Sequence, residues 1–179
     1  IKTNPVTAKK LDNNIGYISF SSFDEGTAKD FEQKFKELSS QNITSLIIDL
    51  RNNGGGIVDE AIEIANCIAD KDSTLLITVD KNKNEEITKS TKDPIIKMPI
   101  VILVNENTAS ASEILSGALK DLNKATIVGK KTYGKGVIQQ FLTLSDGSGL
   151  KITSNEYFTP NRTTINKVGI EPNEVVELP

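Results

Sequence analysis

The sequence predicts a mixed α/β domain with flanking helices. Patterns typical of strands alternate with patterns typical of helices along most of the chain, and strand patterns alone follow Gly136. The chain has 179 residues, of which 37% are hydrophobic and 25% charged, as in an ordinary globular domain. A chain of this length can bury a core of its own. We therefore expect one domain built on a mixed sheet.

The first two elements are a strand and an amphipathic helix. Alternating apolar residues predict the strand at 15–20. A helix of roughly fourteen residues is expected from Thr27, which has the character of an N-terminal cap. Its apolar side chains, Phe31, Phe35 and Leu38, fall on one stripe and would face the core.

The later elements follow from the same two patterns. Short apolar runs predict buried strands, and the spacing of apolar residues between them predicts helices. The end of the chain is interrupted by Pro160, Gly169 and Pro172, so it is expected to be irregular. We expect strands at 46–50, 75–79, 85–89, 100–104, 125–128, 137–144 and 150–153, and helices at 58–69 and from about 108 to 122.

Charge and composition exclude several classes of function. The net charge is −3 and the isoelectric point is near 5.1, so no basic surface for nucleic acid or for an anionic membrane is predicted. Tryptophan is absent and Cys67 is the only cysteine. Because histidine is absent too, a zinc site would have to be built from carboxylates. We predict no metal site and no cofactor.

The first residues suggest that the chain is part of a longer protein. It starts at Ile1 without a methionine, so we interpret it as a fragment or a processed form. Residues 1–14 are polar and rich in lysine, and they close with Asp-Asn-Asn. This composition predicts a linker, followed by a domain over residues 15–179.

Ser110 and Lys135 are the residues that point to catalysis. A serine hydroxyl is a poor nucleophile until a neighbouring base takes its proton, and the usual base, histidine, is absent. Lysine replaces it in Ser-Lys variants of the catalytic triad. A helix starting near residue 108 would put Ser110 in its first turn, where the N–H of Ala111 is free. Alternatively, Ser110 is a capping residue and the Gly-Lys-Gly sequence around Lys135 is an exposed turn.

The glycine run 54–56 follows a predicted strand and precedes a predicted helix. Glycines let backbone N–H groups approach a ligand, because no side chain intervenes. Three interpretations stay open: a flexible turn, a phosphate cradle, or an oxyanion hole. The glycine-lysine spacing of a phosphate-binding loop is missing.

The segments 49–56, 108–113 and 133–136, in this order, resemble the carboxy-terminal processing proteases, also called tail-specific proteases. The resemblance runs from Asn14 to Pro172. It implies a fold similar to the Clp protease and crotonase group, with the catalytic domain at 15–179. It also implies a serine endopeptidase that acts on proteins or peptides.

The resemblance assigns a role to six residues. Ser110 matches the nucleophile, and Lys135 matches the general base. A lysine acting as base must be neutral at its working pH, and burial can supply the lowered pKa that this requires, because desolvation penalises the charged form. The remaining matches are Gln139, which orients the lysine in some members, Gly56 and Ala111, which donate to the oxyanion, and Asp121, which has a supporting role in some members.

The resemblance also bears on the parent protein. Members carry a peptide-binding PDZ domain ahead of this core, and residues 1–14 resemble its exit linker. Members work outside the cytoplasm, so an extracytoplasmic location is implied. This sequence has Gly54 where the family often has proline, a departure that a turn tolerates.

Two rival functions stay open from the residues alone. A crotonase-like acyl-CoA enzyme would use an oxyanion hole of backbone amides without a serine nucleophile, and it would bind coenzyme A. A catalytically silent peptide-binding scaffold would use neither. For the protease we expect Gly56→Val to block an oxyanion donor with little change in stability.

Overall fold

The computed structural model describes residues 6–177, except for the side chains at positions 140, 141 and 151. Within these residues the chain forms ten strands and three α-helices, and the predicted mixed α/β fold is confirmed. The elements are β1 (Val6–Leu11), β2 (Ile15–Phe20), α1 (Thr27–Ser39), β3 (Ser45–Asp49), α2 (Val58–Asn66), β4 (Thr74–Asp80), β5 (Glu85–Lys89), β6 (Ile100–Val104), α3 (Ala111–Asp121), β7 (Thr126–Gly129), β8 (Val137–Thr143), β9 (Gly149–Phe158) and β10 (Glu174–Val175).

A six-stranded sheet forms the centre of the fold, in the order β1-β2-β3-β6-β7-β10. Strand β1 is antiparallel to β2, and every other neighbouring pair is parallel. The carboxyl ends of β3, β6 and β7 therefore lie side by side at one edge of the sheet. Loops that leave these three strands meet there, as at the ligand-binding edge of other parallel sheets.

A second, antiparallel sheet has the order β5-β4-β9-β8. Helix α3 contacts both β7 and β4, so it joins the two sheets. Its residues 111–119 are all buried, which suits a helix with small and apolar residues on every side. The position of α3 matters for the site, because Ser110 immediately precedes it.

Most of the core lies between the helices and the six-stranded sheet. Phe31, Phe35 and Leu38 of α1 are buried there, as the sequence predicts. Helix α1 contacts β1 and β2, and α2 contacts both α1 and α3. A smaller apolar cluster, which includes Ile114 and Tyr157, lies against the second sheet. The two clusters fix α3 on both sides.

The interpretation of residues 1–14 as a linker is wrong for the part that the structure describes. Residues 6–11 form β1 and pair with β2 along its full length, from Val6 with Phe20 to Leu11 with Ile15. Val6 is buried in the core. The lysines of this segment mislead the sequence argument, because an edge strand tolerates charged residues on its exposed face. Residues 1–5 lie outside the described residues.

The described helices are all short. Among residues 6–177, none is both long enough and apolar enough to cross a lipid bilayer.

Candidate active site

Three loops at the carboxyl edge of the central sheet build one cavity. The loop after β3 carries Gly56, the loop after β6 carries Ser110, and the loop after β7 carries Lys135. The cavity has a volume of about 210 Å³. Four of the six predicted residues line it, and the full lining consists of Gly56, Val58, Ser110, Lys135, Val137, Ile138, Gln139 and Tyr157.

Ser110 occupies a sharp bend between its loop and α3. Its φ is 58° and its ψ is −121°, outside the regions that residues with a side chain normally adopt. The helix starts at Ala111, so the prediction that Ser110 lies inside the first helical turn is wrong by one residue. A strained backbone of this kind costs about 1–3 kcal/mol and is typical of functional sites. The same kind of turn exposes the nucleophilic serine of α/β-hydrolases.

The glycine loop packs directly against the serine segment. A β-carbon at Gly55 would lie 2.7 Å from the carbonyl oxygen of Ala109 and 2.7 Å from the β-carbon of Ser110. The carbonyl of Asn53 accepts hydrogen bonds from the N–H of Ala109 (3.0 Å) and from Oγ of Ser112 (3.1 Å). Contact this close requires glycine at position 55, so this part of the run is more than a flexible turn.

Two backbone N–H groups beside Ser110 are available to a ligand. Phe23 bonds the loop on either side of Gly56, donating to the carbonyl of Gly55 (3.0 Å) and accepting from the N–H of Ile57 (2.8 Å). Within residues 6–177, the N–H groups of Gly56 and Ala111 donate to no acceptor. Unpaired N–H groups at a helix start favour negative charge.

The expectation that Gly56→Val would leave stability unchanged is wrong. Gly56 has a φ of 146°, and a β-carbon there would lie 2.3 Å from the carbonyl oxygen of Phe23. Any side chain would push against this backbone. A loss of activity in such a variant would therefore mix misfolding with loss of the N–H donor.

Glu113 joins the serine segment to the lysine loop. Its side chain is fully buried. Oε2 accepts hydrogen bonds from the backbone N–H groups of Ser110 (2.8 Å) and Lys135 (2.9 Å). Oε1 accepts from Oγ1 of Thr132 (2.6 Å) and from the N–H of Gly134 (2.7 Å). Sequence reasoning missed this residue, although glutamate three places after a serine is the spacing of a helix capping box.

Lys135 is exposed, so burial among the described residues does not remove water from its amine. The loop that carries it runs along the cavity mouth, where the described residues do not cover the side chain. Its backbone is nevertheless tightly packed. A β-carbon at Gly136 would lie 2.2 Å from the backbone nitrogen of Asn166, so the second glycine permits close approach of the two segments.

Gln139 and Asp121 differ in their relation to the cavity. Gln139 is exposed on β8 and lines the cavity together with Lys135. Asp121 is at the end of α3 and lines a different cavity. Its Oδ2 accepts the backbone N–H of Asn161 (2.9 Å), so this carboxyl group holds the turn after β9. The structure does not bring Asp121 to Ser110 or Lys135.

Tyr157 lines the cavity and was not predicted from the sequence. It lies on β9 and is 1% exposed, and its hydroxyl donates to the carbonyl oxygen of Lys135. Burial raises the pKa of Tyr157 to about 12, against the opposing effect of a hydrogen bond with Ser110. The phenol therefore stays protonated at neutral pH and cannot serve as the base.

Asp49 and Arg51 fix the start of the glycine loop. The guanidinium of Arg51 bonds both carboxylate oxygens of Asp49, with a shortest distance of 2.6 Å, and the hydroxyl of Tyr17 donates to the same group (2.6 Å). Burial works against ionisation, but the hydrogen bonds from Arg51 and Tyr17 prevail and lower the pKa of Asp49. The ion pair of Asp49 and Arg51 thus fixes the first residues of the glycine loop.

Across the part of the chain that the structure describes, no three Cys, Asp or Glu side chains are grouped so as to hold a metal ion.

Comparison with known proteins identifies relatives of one kind. The sequence profile of peptidase family S41 matches residues 14–176. A carboxyl-terminal-processing protease of Synechocystis sp. is 42% identical over 183 residues, which cover 100% of this chain and 43% of that protein. The carboxy-terminal processing protease CtpA of Bacillus subtilis is 36% identical, over 100% of this chain and 38% of that protein.

A solved structure is similar in both fold and sequence. The photosystem II D1 C-terminal processing protease matches with a TM-score of 0.90 and 36% identity, over 99% of this chain and 49% of that chain. The chain thus spans less than half the length of these three relatives.

Glu113→Gln tests the tie between the two loops. Glutamine keeps one acceptor oxygen, so two of the four donors lose their partner. Each buried donor without an acceptor costs about 1–3 kcal/mol, so the free energy of unfolding should fall by about 2–6 kcal/mol. Urea denaturation measures it.

Glu106→Gln is the matched control, because Glu106 is exposed in the loop before Ser110 and forms no hydrogen bond within residues 6–177. Equal stability of the two variants would contradict the role assigned to Glu113.

Proposed function

The chain belongs to peptidase family S41, and we propose that it is the catalytic domain of a serine endopeptidase with a Ser110–Lys135 dyad. One observation carries the proposal: Ser110, Lys135, Gln139 and Gly56 line a single cavity, although they come from separate segments of the chain. The absence of histidine leaves lysine as the amine base available to the serine.

The first half of the reaction forms an acyl-enzyme. Oγ of Ser110 attacks the carbonyl carbon of a peptide bond, while neutral Nζ of Lys135 takes the hydroxyl proton. The resulting tetrahedral intermediate carries a negative oxygen. When it collapses, the C–N bond breaks and Lys135 gives the proton to the leaving amine. The acyl group is then bound to Ser110 as an ester.

The second half uses water in place of the serine. Lys135 takes a proton from water, whose oxygen attacks the ester carbonyl. Collapse of the second intermediate releases the carboxylic acid, and the proton returns to Oγ of Ser110. The enzyme is regenerated, and one water molecule has been consumed for each peptide bond.

The free N–H groups of Gly56 and Ala111 supply the oxyanion hole in this proposal. Both intermediates place negative charge on the former carbonyl oxygen, and fixed N–H donors stabilise that charge without reorganising. The strained backbone of Ser110 and the packing of the glycine loop hold the donors in place before substrate arrives. Removing one such donor costs about 10²–10³ in kcat in other enzymes.

Gln139 and the substrate complete the environment of Lys135. The amide oxygen of Gln139 accepts a hydrogen bond from Nζ and orients it without adding a formal charge. Because Lys135 is exposed, we propose that a polypeptide lying across the cavity excludes water from it. Loss of water favours the neutral amine, so the base is activated when substrate is bound.

The substrate class follows from the relatives by analogy. Their names describe cleavage near protein carboxyl termini, so we propose that this chain acts on polypeptides in carboxy-terminal processing or degradation. The parent protein is proposed to carry a PDZ domain and to work outside the cytoplasm. Chloroplast and bacterial enzymes are among the relatives.

Ser110→Ala is expected to fold normally and to lose nearly all turnover, because the oxyanion donors remain while the nucleophile is gone. Mass spectrometry of products from an unstructured protein, with circular dichroism to monitor folding, measures both properties.

Ser112→Ala is the matched control two residues away. Its hydroxyl donates to the carbonyl of Asn53, which keeps the N–H of Ala109 as a second donor. Its loss should cost about 1 kcal/mol of stability and little activity. Equal loss of activity in both variants, or an active Ser110→Ala, would contradict the assignment of Ser110 as the nucleophile.

Lys135→Arg is expected to be inactive, because a guanidinium group stays charged and cannot accept the serine proton. For the unaltered chain, kcat/KM should rise with pH along one basic limb, as the neutral fraction of the base increases. Steady-state rates from pH 6 to 9 measure this.

Lys130→Arg, in the same loop, should keep both its activity and its pH profile. A rate independent of pH, or an active Lys135→Arg, would exclude Lys135 as the base.

A further inference from the structure

Tyr157 connects the second sheet to the loop of the proposed base. Its hydroxyl donates to the carbonyl oxygen of Lys135, and its backbone N–H donates to the carbonyl oxygen of Gly136 (3.0 Å). Its ring is fully buried in the apolar cluster that also contains Ile114 of α3. The apolar ring of Tyr157 is thus held by the core, and its hydroxyl lies at the cavity.

The backbone of Lys135 is fixed from two directions as a result. Glu113 of α3 accepts the N–H of Lys135, while Tyr157 of β9 donates to the carbonyl group of the same residue. With both polar groups bonded to separate elements, the backbone at Lys135 cannot rotate freely. Only the side-chain torsions then remain to bring Nζ to its target.

The same phenol lies at the cavity of the serine. Tyr157 and Ser110 line one cavity, and a polar interaction with Ser110 opposes the effect of burial on the pKa of Tyr157. A phenol has one hydrogen to donate, and that of Tyr157 goes to the carbonyl of Lys135. The hydroxyl hydrogen of Tyr157 is therefore committed to the loop of the base.

We infer that Tyr157 is a positioning residue of the Ser110–Lys135 dyad, whose hydroxyl fixes the backbone of the base. This inference rests on the proposed function. Tyr157 exchanges no proton with substrate. It acts by holding the base in one position relative to the serine, and a misplacement of about 1 Å can lower a rate by about 10²-fold.

Tyr157→Phe tests the inference, because it removes the hydroxyl and keeps the buried ring. The probe is a small alkyl fluorophosphonate, which reacts with an activated serine and needs no known substrate. We expect the maximal rate of inactivation to fall by about 10²-fold while the half-saturating probe concentration stays unchanged. A variant that is merely less stable would lose active protein without changing the maximal rate of the folded fraction.

Tyr133→Phe is the matched control. Tyr133 lies in the same loop as Lys135 and is 69% exposed, and its hydroxyl forms no hydrogen bond within residues 6–177. It should react like the unaltered chain. Thermal unfolding of each variant gives the folded fraction by which rates are normalised.

The unaltered chain and Ser110→Ala are treated with the same probe, which separates two kinds of failure. If the unaltered chain reacts at Ser110 and Tyr157→Phe reacts equally fast, the inference is overturned and the proposed function stands. If the unaltered chain does not react, both the inference and the proposed function are contradicted. A slower maximal rate in Tyr157→Phe alone supports the inference.

Discussion

The carboxyl group of Glu113 holds the two halves of the proposed dyad together. It is fully buried, and four groups donate to it. One is the backbone N–H of Ser110, and the other three are Oγ1 of Thr132 and the N–H groups of Gly134 and Lys135 in the lysine loop. Burying an ionised carboxylate costs several kcal/mol. Hydrogen bonds to a charged group return about 1.5–3 kcal/mol each, so a complete set offsets that cost and an incomplete set does not.

The rest of the site depends on this tie and on close backbone contacts. The central sheet brings the three loops to one edge, but the sheet alone leaves their tips free to move apart. Gly55 against Ser110 and Gly136 against Asn166 allow contacts that a β-carbon would prevent. The strained conformation of Ser110 persists because the surrounding bonds determine it. The fold therefore supplies the edge, while one buried acid and a few glycines set the geometry.

Much of the fold could be predicted from local patterns. The predictions of the strand at 15–20 and of the apolar stripe of α1 are confirmed, because the spacing of apolar residues along the chain indicates strands and helices directly. Strand β1 was missed, since an edge strand with lysines resembles a linker until its partner is known. Ser110 is one residue outside the predicted helix, because its bend depends on contacts with the glycine loop.

For the site as well, the sequence indicates which residues matter, but it does not show their tertiary contacts. Chemistry and spacing bring attention to Ser110 and Lys135, because a nucleophile without histidine needs another base. Burial depends on tertiary structure, so the exposure of Lys135 could not be predicted from its neighbours in the sequence. Tyr157 gives no sequence signal, because its contact with the lysine loop joins residues 22 positions apart in the chain. Glu113 did give one, the capping-box spacing, whose partners in the lysine loop only the fold reveals.

The most direct test is a crystal structure of the chain after Ser110 has reacted with a peptidyl fluorophosphonate, whose phosphoryl oxygen imitates the oxyanion. The account predicts that this oxygen lies about 2.7–3.1 Å from the backbone nitrogens of both Gly56 and Ala111. It also predicts that Nζ of Lys135 is within hydrogen-bonding distance of Oγ of Ser110. A phosphoryl oxygen turned to solvent, or an adduct on another residue, would contradict the account.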